Sequence, residues 1–135
     1  MLSNELRFYL NDFAKNEQGT SIELIETIQR QLDFTLPGEY VSLMEEFNGG
    51  EGEVGENGWL CLFPIEDLIE INNDYGILME HIPEYFLFGK DAADTGYVFH
   101  KQKHTIHSLG LMSNFDTDPI EFCGTTILEF LEYLA

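Results

Sequence analysis

A chain of 135 residues, 44% hydrophobic and carrying 11 Phe and 6 Tyr, has the length and apolar content for one packed core and is not a disordered polymer. Its 25 Asp and Glu against 6 Lys and Arg give a net charge of −19, which opposes direct binding to nucleic acid or to an anionic membrane surface. No apolar run approaches the roughly 18–20 residues that a membrane-spanning helix needs, and the start MLSNELRFYLNDF lacks the basic and apolar blocks of a secretory signal, so a cytoplasmic protein is expected.

Leu6, Tyr9, Leu10 and Phe13 recur at helical spacing, which predicts a first helix from Asn4 to about Lys15. Thr20-x-x-Glu23 has the form of a capping box ahead of a second helix, with Ile22, Ile25, Ile28 and Leu32 on its apolar face. Leu36-Pro37 then opens a third helix, since proline loses nothing in a first turn. Tyr40, Leu43, Met44 and Phe47 form its buried stripe, and Asn48-Gly49-Gly50 ends it with residues that tolerate positive φ. Glu51, Glu53 and Glu56, among Gly52, Gly55 and Gly58, read as an acidic loop. A buried strand, Trp59 to Phe63, follows.

Pro64 to Asp67 starts a short helix with Ile65, Leu68 and Ile69 inward, ended near Asn72 to Gly76. The segment Ile77 to Ile82 gives no clear period and reads as a loop with one turn of helix. Tyr85 to Gly89 and Tyr97 to His100 are predicted strands joined by the polar turn Lys90 to Gly96, which makes them a hairpin. His104 to Leu109 is a fourth strand, and Gly110 to Pro119 reads as loop. Thr126-x-x-Glu129 caps a terminal helix bearing Ile127, Leu128, Leu131 and Leu134. The expected architecture is α+β, one domain over residues 1–135, a twisted and mostly antiparallel sheet flanked by helices.

The Leu-Pro helix start, the Tyr within it and the closing Asn-Gly-Gly resemble the SUKH superfamily. So does the later order of Tyr85-Phe86-Leu87-Phe88-Gly89, a small acidic turn, and Tyr97-Val98-Phe99. The turn Lys90-Asp91-Ala92-Ala93-Asp94-Thr95-Gly96 departs from the family pattern by placing Ala92 and Ala93 where glycines are usual. The resemblance is strongest over residues 22–134. It implies a protein-binding domain. The superfamily includes bacterial immunity proteins that neutralise polymorphic toxins, nucleases among them, and a fungal regulator of cell-wall assembly.

Signs of catalysis are few. No GxSxG, HExxH, P-loop or GxGxxG pattern occurs. Cys61 and Cys123 share no metal-type spacing and read as buried, reduced thiols. His100, His104 and His107, with Asp116 and Asp118 downstream, are the one group that a metal site or small hydrolase would draw on. The odd spacing of His104 and His107 would send them to opposite faces of a strand. The expected protein has no catalytic residues, cofactor or metal.

Between Glu39 and Asp94 the sequence holds 14 acids and one base, Lys90. Such a surface would steer a basic partner, because complementary charge speeds encounter and selects partners. The function expected from the resemblance is binding and neutralisation of a cognate toxin domain, a basic nuclease being the best fit to the charge. An adaptor domain docking onto a cellular protein is the alternative. The residues expected to meet the partner are Glu51, Glu53, Glu56, Trp59, Glu84, Asp91 and Asp94.

Overall fold

The computed structural model describes residues 4–11, 13–15, 19–112 and 120–135. In chain order the elements are α1 (Asn4–Tyr9), β1 (Phe13–Lys15), α2 (Ile22–Arg30), α3 (Gly38–Glu46), β2 (Gly50–Val54), β3 (Gly58–Leu62), a 3-10 turn (Ile65–Asp67), α4 (Leu68–Asp74), α5 (Gly76–His81), β4 (Tyr85–Lys90), β5 (Thr95–His100), β6 (Ile106–Gly110), β7 (Glu121–Gly124) and α6 (Ile127–Leu134). The seven strands form one sheet in sequence order, β1 to β7, and every neighbouring pair is antiparallel. The α+β architecture expected from the sequence is therefore present.

Helices cover one face of this sheet through aromatic contacts. Tyr40 of α3 is fully buried and meets Phe88 and Phe99 edge-on, and those two rings stack 4.0 Å apart. Phe130 of α6 meets Phe88 and Tyr97, while Phe34 meets Phe86 and Phe47 meets Phe13. Edge-to-face packing of this kind adds about 0.5–1.5 kcal/mol per pair beyond area burial. On the opposite face Leu111 folds back over Gly96 and reaches Leu87, where any Cβ on Gly96 would collide with it.

Three side-chain amides fix the connections. Gln29 of α2 donates to Phe34 O and accepts from Leu36 N–H, which holds the α2–α3 link in place. Asn48 accepts from Ile65 N–H at 2.8 Å and donates to Glu66, so a residue just past the C-cap of α3 also holds the start of the next helical turn. Asn72 of α4 both accepts from Leu87 N–H and donates to Leu87 O, at 2.9 Å each. Strand β3 pairs with β4 only at Cys61↔Lys90 and Leu62↔Gly89, so Asn72 satisfies backbone groups that no strand reaches. The Asn-Gly-Gly segment thus does more than stop a helix. Gly49 sits at φ +77°, and a Cβ there would lie 2.5 Å from Leu62 O.

Several expectations change. The first helix ends at Tyr9, and Phe13–Lys15 is instead an edge strand that pairs with β2. Leu6, Leu10 and Phe13 are all buried, so the helical spacing was met by a helix and a strand together. The α2 cap is Ser21, which accepts from Leu24 N–H; Thr20 is buried and its hydroxyl has no partner among the described residues. Ile22 is exposed rather than part of the apolar face. The acidic loop is mostly strand: Glu51 and Glu53 lie on β2 and only Glu56 is in a turn. The Ile77 to Ile82 segment, expected as a loop with one turn of helix, is largely α5, and β7 was not foreseen at all.

Candidate partner-binding surface

Strand β2 alternates strictly. Gly52 and Val54 are buried, while Glu51 and Glu53 point away from the helices. Register puts Glu51 opposite Cys61 and Glu53 opposite Trp59, so all four share the open face. Trp59 is 39% exposed, a partly covered ring on this face. Lys90 lies beside Cys61 in the register, and its ammonium donates to Asp91 O at 3.0 Å.

In an antiparallel meander, alternate turns fall at the same end of the sheet. The β2–β3 turn, which carries Glu56, and the β4–β5 turn, which carries Asp91 and Asp94, share one end. Glu51, Glu53 and Trp59 stand on the strands leading into it. Asp94 is exposed, and its carbonyl accepts from Leu111 N–H, which ties the β4–β5 turn to the chain leaving β6. Asp91 has a structural duty as well. Its Oδ1 accepts from Ala93 N–H at 2.8 Å and Thr95 N–H at 3.1 Å, closing the turn in the manner typical of Asp.

Glu84 does not join this group. It precedes β4 at the other end of the strand, roughly 20 Å from Asp91 at about 3.3 Å per residue. Its carbonyl accepts from Lys101 N–H. That end is the more basic one: it holds Lys101, Lys103, His100 and His104. An ion pair lies there too, Lys101 to Asp33 at 3.0 Å. The carboxylates of Glu51, Glu53, Glu56 and Asp94 form no hydrogen bond or ion pair among the described residues.

The reactive groups are held quiet or apart. Burial pushes the Cys61 thiol up, the Glu51 charge adds to that and Lys90 opposes it. Burial raises Cys123 as well. Neither environment favours a thiolate at neutral pH. Among the described residues, no three His, Cys, Asp or Glu side chains come together as metal ligands would. His104 is not on a strand; it occupies a turn at φ +59° and its Nε2 donates to Thr35 O. His100 accepts the N–H groups of Gln102 and Lys103. His107 points outward on β6 against the rings of Tyr85 and Phe122. Asp116 and Asp118 lie outside the described residues. No helix among the described residues is long and apolar enough to cross a membrane.

One neighbour of the acidic end went unread in the sequence. A cleft of about 520 Å³ beside the β2–β3 turn is lined by Gly55 and Glu56 together with Arg7, Phe8, Tyr9 and Asn11. Phe8 breaks the apolar stripe of α1 by pointing outward. That was visible in the spacing, but its proximity to Glu56 was not.

No curated protein matches this chain closely enough to count as a relative. The model of the SMI1 / KNR4 family (SUKH-1) matches residues 19–132, a span that runs from just before α2 into α6, and the chain belongs to that family.

Proposed function

We propose that this protein, acting as one domain in the cytoplasm, binds a cognate toxin domain and neutralises it without catalysis. The proposed contact surface is the acidic end of the sheet. The observation that carries this reading is the shared position of Glu51, Glu53, Glu56, Trp59, Asp91 and Asp94, with carboxylates on β2 and in both turns left without ionic partners among the described residues. Unpaired exposed carboxylates cost little in the free protein and attract a basic surface over a Debye length of about 8–10 Å. A nuclease is the inferred partner, because its own site must carry positive charge to hold phosphates. Glu84 falls outside the proposed surface.

The same surface could serve an adaptor that docks onto a cellular protein, and one experiment separates the two. The chain is co-expressed with the toxin domain encoded beside it, and survival and co-purification are scored. Survival with a stable complex is expected. Death despite good expression, with no complex, would overturn the immunity reading in favour of the adaptor.

A further inference from the structure

We propose that the Glu53–Trp59 pair on the open face of the sheet is a clamp for an arginine side chain of the partner, whose guanidinium lies on the indole and donates to the Glu53 carboxylate. This inference rests on the neutralisation reading and names the residue type that meets its acidic surface. Register makes Glu53 and Trp59 direct cross-strand partners, which puts their Cβ atoms about 4.5–5.5 Å apart on one face. Trp59 is partly exposed, and its indole makes no ring contact or hydrogen bond among the described residues. The Glu53 carboxylate is likewise without a partner among them. A flat π surface and an uncompensated carboxylate thus stand side by side on the same face.

The surroundings select a cation, and an arginine over a lysine. Glu51 stands two residues from Glu53 on the same face, roughly 7 Å along the strand, so the ring lies in a negative field. Lys90 is the nearest base in the register, but it sits opposite Cys61 and its ammonium donates to Asp91 O. Lys90 and Glu51 act on the Cys61 thiol in opposite senses, so the Glu51 end already has a cation beside it. Glu53 has no cation in ion-pair range among the described residues. A partner's cation is therefore drawn to Glu53, and there it meets the indole. An ammonium is a compact, strongly hydrated charge. A guanidinium is planar and less tightly hydrated, stacks on an aromatic face and keeps its donors in plane for a carboxylate. An apolar side chain could cover the ring too, but it would take water from Glu53 without replacing the lost hydrogen bonds.

The chain has a single tryptophan, so its fluorescence reports this site directly. The full chain is titrated with hexa-arginine and with hexa-lysine at one ionic strength, and binding is followed by calorimetry as well. Hexa-arginine should bind about threefold or more tighter and change the Trp59 emission, whereas hexa-lysine should leave the emission nearly unchanged. Glu53→Gln and Trp59→Leu, the latter read by calorimetry, should each abolish the preference for arginine. Glu84→Gln, which removes the same charge at the other end of β4, should keep it. If the parent binds both peptides equally, or if the preference survives either clamp substitution, the attraction is diffuse and the clamp falls. If Trp59→Leu lowers the melting temperature, Glu53→Gln alone decides. The co-expression result is separable from this one. A chain that prefers arginine but fails to neutralise its toxin domain retains the clamp, and a chain that neutralises without the preference loses the clamp alone.

Discussion

The Glu39 carboxylate on α3 accepts a hydrogen bond from the Ile127 backbone N–H at the start of α6, joining positions 88 residues apart. Thr126 caps the same helix by accepting from Glu129 N–H at 3.1 Å. Two of the free N–H groups at this helix start are thus taken by oxygen acceptors, one of them charged, where the helix dipole favours negative charge. Glu39 is one of the 14 acids in the acidic stretch, yet its work is internal. Glu39→Ala should destabilise the fold by about 1–2 kcal/mol, with Glu39→Gln intermediate, in urea unfolding. Binding of a basic partner should be unaffected.

Asn48 gives a second test. Asn48→Ala removes its bonds to Ile65 N–H and Glu66, and should cost about 1–3 kcal/mol because the Ile65 amide is left without its acceptor. Gly49→Ala should cost as much or more, since it meets both a left-handed φ and a backbone oxygen 2.5 Å away. Paired unfolding curves for the two variants would check both magnitudes.

Tyr40 should behave in the opposite sense. Its hydroxyl is fully buried with no partner among the described residues, and burial drives its pKa upward. Tyr40→Phe keeps the ring contacts with Phe88 and Phe99 and removes an unsatisfied polar atom, so it should be neutral or stabilise by up to about 1–3 kcal/mol. Tyr40→Ala should lose about 3–5 kcal/mol. A destabilised Phe variant would mean that the hydroxyl has a partner.

His107 sets a pH dependence. Burial lowers its pKa from the ordinary 6.5, and the charges of His100 and Lys103 lower it further. The folded state therefore resists protonation more than the unfolded chain does. The resulting stability is fully present above about pH 6.5 and is lost as the pH falls through the depressed folded value. His107→Gln should flatten the stability profile over that window. Unfolding midpoints at several pH values for parent and variant would show it, and parallel profiles would contradict it.

Position within the acidic set should matter more than charge count. Glu84→Lys changes the net charge as much as Glu53→Lys does, but it lies at the other end of β4. Glu53→Lys should slow association with a basic toxin domain severalfold at low salt, and Glu84→Lys should have the smaller effect. Equal effects from both would favour a diffuse field over a defined surface.

Much of this fold can be read from periodicity. The α3 stripe at Tyr40, Leu43, Met44 and Phe47 is buried as its spacing requires, and the β4–β5 hairpin and Thr126 cap follow from local signals. The failures have identifiable causes. The glycines of Gly50-Glu51-Gly52-Glu53-Val54 suggested a loop, although the alternation of small and charged residues was already that of a strand with one exposed face. Three-residue β1 carries too little sequence to show a period, and tertiary pairing to β2 decides it. Glu121 and Phe122 of β7 are both exposed, so that strand lacks the alternation that marks a half-buried one. At the candidate surface, the sequence supplied the acids but not their distribution. Only the register shows that Glu84 stands apart and that Asp91 spends its carboxylate on its own turn.

The strictly sequential sheet has a consequence for how such a protein can diversify. The contacts that hold the frame together, at Asn48, Asn72, Tyr40 and Glu39, lie outside the β2–β3 and β4–β5 turns. Residues 56–57 and 92–93 can therefore be exchanged for those of another member without altering any strand pairing, whereas Gly55, at φ +62° against Ala135, and Asp94, whose carbonyl accepts from Leu111 N–H, belong to the frame. The fold is in this sense a holder for two short replaceable cassettes, and transplanting them together would move recognition from one partner to another while the melting temperature stays that of the recipient.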